Sequence, residues 1–432
     1  LGFNRFYKEA SALDLVQTRP KDYQQYLDFI DLDTKIELDY YINEMKGKKV
    51  AMINATAFGG GVAEILHSLV PLASDMGVQI DWWVMQGAEE FYTVTKVFHN
   101  RLQGQEGPLP SRAKDVYQQY NQLNAAAMAG WDYDYIVVHD PQPAALIEYR
   151  QPGDRARWIW RCHIDTSTPN PEYWDYLYRY IRQYDAVIFT MKDFIKEGVI
   201  LNNLTMITPS IDPLSLKNRP MDKNEAAKIT SRFGIDINRP LIAQISRFDP
   251  WKDPLGVIDA YKIVKKEFPS VQLALVGSMA TDDPEGWDYL YRTLRRAGED
   301  YDIEVVTNFN GISNLEVNAF QNFSEVLLQK SIREGFALTV SEGMWKNTPV
   351  VGGTAGGIKL QIDDGVNGYL VNTVEECAEK VLYLLRNPGL MAEMGQAGHE
   401  KVRQNFLITK HILNYLRLFD KLEQEVRGKS FA

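Results

Sequence analysis

Cysteine is nearly absent: only Cys162 and Cys377 occur, far apart in the chain. That excludes a disulfide framework and a cysteine-rich zinc site, and it fits a reducing compartment. Excess positive charge is also missing. The formal net charge is −10, which argues against broad nucleic-acid binding or an anionic membrane surface. An anionic small molecule stays open, because it needs only a local positive cluster. No apolar run approaches about eighteen residues, so no membrane-spanning helix is expected. The opening LGFNRFYKEASALD lacks the basic-then-apolar layout of a secretory signal. A soluble, cytoplasmic protein is the expectation.

With 432 residues the chain has room for two or three domains and a large core. Its 45% hydrophobic and 24% charged residues are ordinary for a globular protein. What stands out is alternation. Short apolar, β-branched runs at 49–54, 79–85, 135–140, 156–162 and 185–190 are separated by longer amphipathic stretches. A second series follows at 240–246, 271–277, 303–306, 325–329 and 349–353. This predicts an α/β protein with two doubly wound, Rossmann-like sheets. The segment TPSIDPLSLKNRPMDKNEA, 208–226, is broken by Pro209, Pro213 and Pro220 and marks the seam. The expected domains are therefore 1–215 and 216–411, with a long terminal helix over about 412–432. Residues 1–47 look helical and amphipathic, and no internal repeat is visible.

In open α/β sheets, ligands bind beyond the carboxyl ends of the strands. Polar residues just after each expected strand are thus the candidates. After 49–54, Gly59, Gly60 and Gly61 lead into a helix whose free amides suit an anion or a sugar hydroxyl. The dinucleotide fingerprint fails there, because Glu64 stands where its third glycine belongs; simple tight-turn glycines are the other reading. His139 with Asp140, in HDPQP, and His163, in RCHID, each close a strand, and the histidines are two of only six. Either histidine could donate to a sugar hydroxyl or a leaving phosphate, or be a satisfied structural residue. No partner at metal-ligand spacing accompanies them.

In the second half, SRFDPWKDP (246–254) brings Arg247 and Lys252 into a strand-to-helix loop, with Pro254 opening the next helix. A guanidinium and an ammonium facing one crevice make a diphosphate clamp, although solvated loop charges would look the same. The stretch REGFALTVSEG, 333–343, holds Glu334 and Glu342. On one continuous helix they would lie about 12 Å apart along the axis. Gly335 allows a break, so that Glu334 sits in a loop and Glu342 in a helix starting near Ala337. The amides of Phe336, Ala337, Leu338 and Thr339 would then face a phosphate. Glu334 would meet a sugar, and Glu342 a ribose diol. Two decoys are set aside. DYD at 132–134 has the D-x-D spacing of a manganese site but reads as a solvated strand entry. A paired-carboxylate glycosidase would have no use for the positive clamp.

With these residues in order, the chain resembles the large retaining glycosyltransferase family of GT-B type, which includes sucrose synthases and many α-glucosyl- and mannosyltransferases. The resemblance covers nearly all of the chain after residue 45. It rests on Glu334-x7-Glu342, SRFDPWKD, the glycine loop, and TPVVGGTAGGIKLQIDDGVNGYLV at 348–371. It implies two Rossmann-like domains facing a central cleft, with the terminal helix returning to the first. By this resemblance Arg247 and Lys252 hold the donor diphosphate, Glu334 the donor sugar and Glu342 the ribose. Phe336, Ala337, Leu338, Thr339 and Gly61 add donor contacts. Gly60, Gly61, His139, Asp140 and His163 line the acceptor, with His163 beside the transferred sugar. Glu334, Arg247, Lys252 and His163 form the catalytic set. Gln361 departs from the family, where glutamate is frequent after the Gly-Gly pair, and so does Gly352-Gly353. The segments TAFGGGVAEILHSLVPL and VVHDPQP further resemble the branch that moves glucose from UDP- or ADP-glucose to free glucose, giving α,α-trehalose. Sucrose- or glycerate-type transfer differs only in acceptor. No obligatory cofactor and no essential metal are implied, while magnesium assistance is compatible. The implied partners are nucleotide-glucose and glucose or trehalose, not nucleic acid or membrane, and a homodimer stays open. A nicotinamide oxidoreductase and a non-catalytic sugar-binding protein are the readings from other classes.

Overall fold

The computed structural model describes residues 12–279 and 284–430. Residues 1–11, part of the stretch expected to be helical, lie outside the described residues. The chain divides into two units, Leu1–Pro209 with Ile408–Ala432, and Ser210–Leu407.

The first unit is built on one sheet of strands β1 (Asp14–Leu15), β2 (Lys49–Asn54), β3 (Gln79–Val84), β4 (Tyr135–His139), β5 (Arg157–Arg161), β6 (Ala186–Phe189) and β7 (Thr205–Met206). Their order is β1-β3-β2-β4-β5-β6-β7. β1 is antiparallel to β3, and the other neighbours are parallel. β4 and β6 are buried at every position. Strands covered by helices on both faces need no polar alternation, which is why they read as continuous apolar runs. The helical expectation for residues 1–47 is corrected at Asp14–Leu15, which pairs with Val84 and Trp83. Two residues carry no period, so only the tertiary partner makes them a strand. The same holds for β7. Helix Leu32–Glu44 follows as expected, with Asp31 capping it through Thr34 N at 2.7 Å. The terminal helix Ile408–Ser430 belongs to this unit. Phe419 stacks on Tyr135 of β4 at 4.3 Å, and Arg417 pairs with Glu37.

The second unit holds β8 (Leu241–Ile245), β9 (Gln272–Gly277), β10 (Ile303–Thr307), β11 (Val326–Gln329), β12 (Val350–Gly353) and β13 (Gly368–Val371). They are all parallel, in the order β10-β9-β8-β11-β12-β13. This is the doubly wound order, whose direction reverses between β8 and β11. In the first sheet the reversal lies between β2 and β4. Each reversal leaves a crevice at the carboxyl ends, so loops after β8, β11, β2 and β4 are positioned to meet a ligand. Among the described residues, no helix is long and apolar enough to cross a membrane.

Candidate functional site

The loops after β8 and β11 are stitched together by their own hydrogen bonds and ion pairs. Asp249 caps the turn Pro250–Lys252, accepting from Trp251 N at 3.0 Å and Lys252 N at 3.1 Å. Gln244 of β8 donates to the Lys252 carbonyl at 2.6 Å, and Ile332 N donates to the Trp251 carbonyl at 2.8 Å. Lys330 reaches Asp253 at 2.5 Å, and Asp253 in turn caps the helix Pro254–Glu267. Held this way, the Lys252 ammonium donates to the Glu334 carboxylate. Ser331 Oγ lies 3.3 Å from the same oxygen, and Gly335 N donates to the other at 3.2 Å. Arg247 does not join the pair. Its side chain is 72% exposed and leans on Asp249 at 3.4 Å. At that exposure it has room to change rotamer.

The helix that follows spans Leu338–Trp345 and has no side-chain cap. Its first residue is preceded by Ala337 at φ 66, a left-handed conformation that costs a non-glycine residue about 1–3 kcal/mol. Buried Gln361 holds this turn. Its amide nitrogen donates to the Phe336 carbonyl at 2.5 Å and the Gly357 carbonyl at 3.2 Å, and its oxygen accepts from Ser341 Oγ at 2.5 Å. A glutamate could not donate there as a carboxylate. Gln361→Leu should strand those partners and lower stability by about 2–4 kcal/mol. Thermal unfolding would show it, and an unchanged midpoint would refute the assignment.

Glu342 lies farther down this helix and is not brought to the Lys252–Glu334 pair. Its side chain is only 2% exposed, with Lys217 at 3.2 Å on one oxygen. Gln321 donates to the other at 2.8 Å. Burial opposes its charge, but Lys217 and Lys346 prevail and hold its pKa below the usual value. A ribose diol would have to compete with both partners.

In the first unit, the glycine loop follows β2. Gly59 and Gly60 both have positive φ, and helix Gly61–Asp75 begins without a side-chain cap. His67 contacts the Ala57 carbonyl at 2.9 Å, tying this helix to the loop. At the ends of β4 and β5, His139 Nδ1 lies 3.0 Å from His163 Nε2. Asp140, at φ 67, accepts from His163 N at 2.9 Å. Thus the structure gathers His139, Asp140 and His163 into one cluster. Sequence reasoning missed two members of its surroundings, Met52 and the fully buried Arg161. An arginine inside the apolar run ARWIWRC was the available signal. Asp132 and Asp134 pair with Lys49 at 3.0 Å and Lys48 at 3.1 Å, at the amino end of β4 and away from this cluster.

The buried cluster makes stability depend on acidity. Burial and Arg161 lower the His139 pKa from 6.5 to about 3, and burial also holds His163 and His411 well below the ordinary value. The unfolded chain then binds more protons below pH 6.5, so stability is lost as pH falls, by about 1.4 kcal/mol per unit for each histidine. Asp140 opposes this. Burial raises it to about 7, so its contribution is lost as pH rises through that value. Three histidines outweigh one aspartate, and the urea midpoint should fall between pH 6.5 and pH 4.5. A flat profile over that range would contradict the buried neutral state.

Comparison with known proteins places the chain in a family. Residues 52–196 match the N-terminal domain of trehalose synthase, and residues 226–401 match glycosyl transferases group 1. The chain is 51% identical over 389 residues to a trehalose synthase of Rubrobacter xylanophilus, covering 89% of this chain and 93% of that one. It is 48% identical over 400 residues to a trehalose synthase of Pyrococcus horikoshii, covering 92% and 96%. Among solved structures, a UDP-forming α,α-trehalose-phosphate synthase from Burkholderia xenovorans has a TM-score of 0.69 at 15% identity, covering 87% of this chain and 99% of that one. That likeness shows the shared GT-B fold. The chain belongs to the trehalose synthase family, within the group 1 glycosyl transferases.

Proposed function

We propose that this glycosyltransferase moves glucose from UDP- or ADP-glucose to free glucose, forming α,α-trehalose with retention at the anomeric carbon. The observation that carries the donor half is the convergence at the β8–β11 reversal. There Lys252, exposed Arg247 and an uncapped helix start offer positive charge to a diphosphate, with Glu334 beside them for the sugar. The acceptor half rests on the glycine loop and the His139–His163 cluster at the reversal of the first sheet, and on the trehalose synthases it resembles.

In the step, the bond from the glucose anomeric carbon to the diphosphate oxygen breaks and that carbon bonds to the acceptor hydroxyl oxygen on the same face. The hydroxyl proton passes to the leaving phosphate oxygen. Negative charge grows on the leaving diphosphate, and fixed positive groups aimed at it are the largest expected term. Those protein groups stand in for a metal. Glu334→Gln keeps the side-chain shape but removes its charge and should lower turnover by about 10²–10³-fold. Near-normal turnover would sink its role.

The test of the whole reading is incubation with UDP- or ADP-glucose and glucose, with and without EDTA, followed by anomeric proton NMR. A symmetric α,α-disaccharide signal in both samples is the expected result. Nucleotide release without that signal would overturn the acceptor assignment.

A further inference from the structure

The ends of β4 and β5 carry a feature that sugar binding alone does not require. Arg161 is fully buried, and its Nε, Nη1 and Nη2 atoms have no hydrogen-bond partner. It is in register with His139 across the β4–β5 pair, so both side chains leave the same face of the sheet. His139 in turn lies between two neighbours. Its Nδ1 is 3.0 Å from His163 Nε2, and its Nε2 is 3.5 Å from Met52 Sδ.

A thioether sulfur accepts but cannot donate. The contact with Met52 therefore favours the proton on His139 Nε2, which leaves His139 Nδ1 as an acceptor. His163 Nε2 must then donate to it, and His163 Nδ1 is left bare. A proton added to His139 Nδ1 would put two N–H groups face to face and break the chain, whereas one added to His163 Nδ1 would leave that bond but charge the ring. Such a proton would also join the buried Arg161 cation, and like charges in a dry site repel strongly.

We propose that Met52, His139 and Arg161 are positioning residues that hold His163 neutral in a single tautomer, presenting Nδ1 as a hydrogen-bond acceptor to the hydroxyl of a bound sugar. This deepens the proposed function, on which the identity of the sugar rests. The other titratable groups around the pair fit a neutral state. Cys162 is kept a thiol by burial, and Tyr415 keeps its phenolic proton. His411, on the terminal helix, is neutral like the pair. Asp140, with its pKa raised to about 7, and Asp165 are the facing carboxyls. The terminal helix thus returns to the first unit with His411 and Tyr415 beside the pair.

The test is nitrogen-15 histidine NMR on the full chain without substrate, from pH 5 to 8. Signals are assigned with His139→Gln and His163→Gln. The expected spectrum has Nε2 protonated on both rings, Nδ1 bare on both, and no titration in that range. A proton on His163 Nδ1, or ordinary titration of either ring, overturns the proposal. Arg161→Met should let the pair titrate and move the acid limb of the kcat profile up by about one pH unit, while Arg161→Lys restores the wild-type profile. A wild-type profile in Arg161→Met overturns it. Should Arg161→Met not fold, Met52→Leu decides: mixed His163 tautomers support the proposal and unchanged tautomers overturn it. Because the spectra need no donor or acceptor, a failure of trehalose formation leaves this result standing and falls on the proposed function alone.

Discussion

Lys252→Ala is expected to weaken binding of free UDP or ADP by about 100-fold, equivalent to roughly 2–3 kcal/mol. The lysine is 16% exposed and fixed at its backbone by Gln244 and Asp249, so its charge is held in place rather than waving in solvent. Fixed, partly desolvated charges contribute far more than mobile surface ones. The loss has a second component. Without Lys252, the Glu334 carboxylate would face the diphosphate unpaired, and two anions would repel. Lys252→Ala combined with Glu334→Ala separates these effects, since removing both charges should recover part of the affinity. Lys252→Arg should not rescue fully, because a planar fork does not replace a compact ammonium at the same point. Calorimetric titration measures all three. An affinity within twofold of the parent for Lys252→Ala would remove this lysine from the donor site.

Gly356→Ala is expected to lower transfer by about 100-fold or more, the scale of a roughly 1 Å displacement of reacting groups. A Cβ on Gly356 would stand 1.8 Å from the Glu334 carbonyl oxygen and 3.0 Å from that of Gly335, and the residue has φ +50. The loop after β12 is therefore pressed directly on the backbone that aims Glu334. Neighbouring Gly357 adds a hydrogen bond, donating to the Gly335 carbonyl at 2.8 Å. Only glycine combines that approach with a left-handed backbone. The added methyl must push Glu334 off its position while leaving both sheets intact. Gly389→Ala is the control, since a Cβ there meets nothing within 4 Å, and its activity should match the parent. Steady-state kinetics and circular dichroism on both variants check the prediction. Normal turnover in Gly356→Ala would show that the loop yields without moving Glu334.

The legible parts of the site share one trait: short sequence distance. SRFDPWKDP announced a strand-to-helix loop with Arg247 and Lys252, and the helix after it does begin at Pro254. Gly335 signalled that Glu334 would lie in a loop and Glu342 in the helix, as found. Local spacing and breaker residues decide such features. The contacts of Glu342 with Lys217 and Gln321 were not legible in this way, because those residues come from 125 and 21 residues earlier in the chain. Arg247 shows the converse. It stands five positions before Lys252 in the motif, yet its side chain leans on Asp249, because loop curvature sets where a side chain goes.

From the sequence alone follow the two parallel sheets, since buried apolar runs separated by amphipathic stretches have few other ways to hide both faces. The acidic, cysteine-poor character follows as well, as do the motifs that set the family resemblance. Tertiary structure alone decided the short strands β1 and β7, the ion pair of Lys252 with Glu334 and the pinning of Ala337 by Gln361. It also decided the alignment of Met52, His139 and His163 beside Arg161. Each of these joins segments that are remote in the chain, and no local period or propensity carries information about such a partner. Their geometry exists only once the strands are in register and the loops at the sheet reversals face one another within each unit.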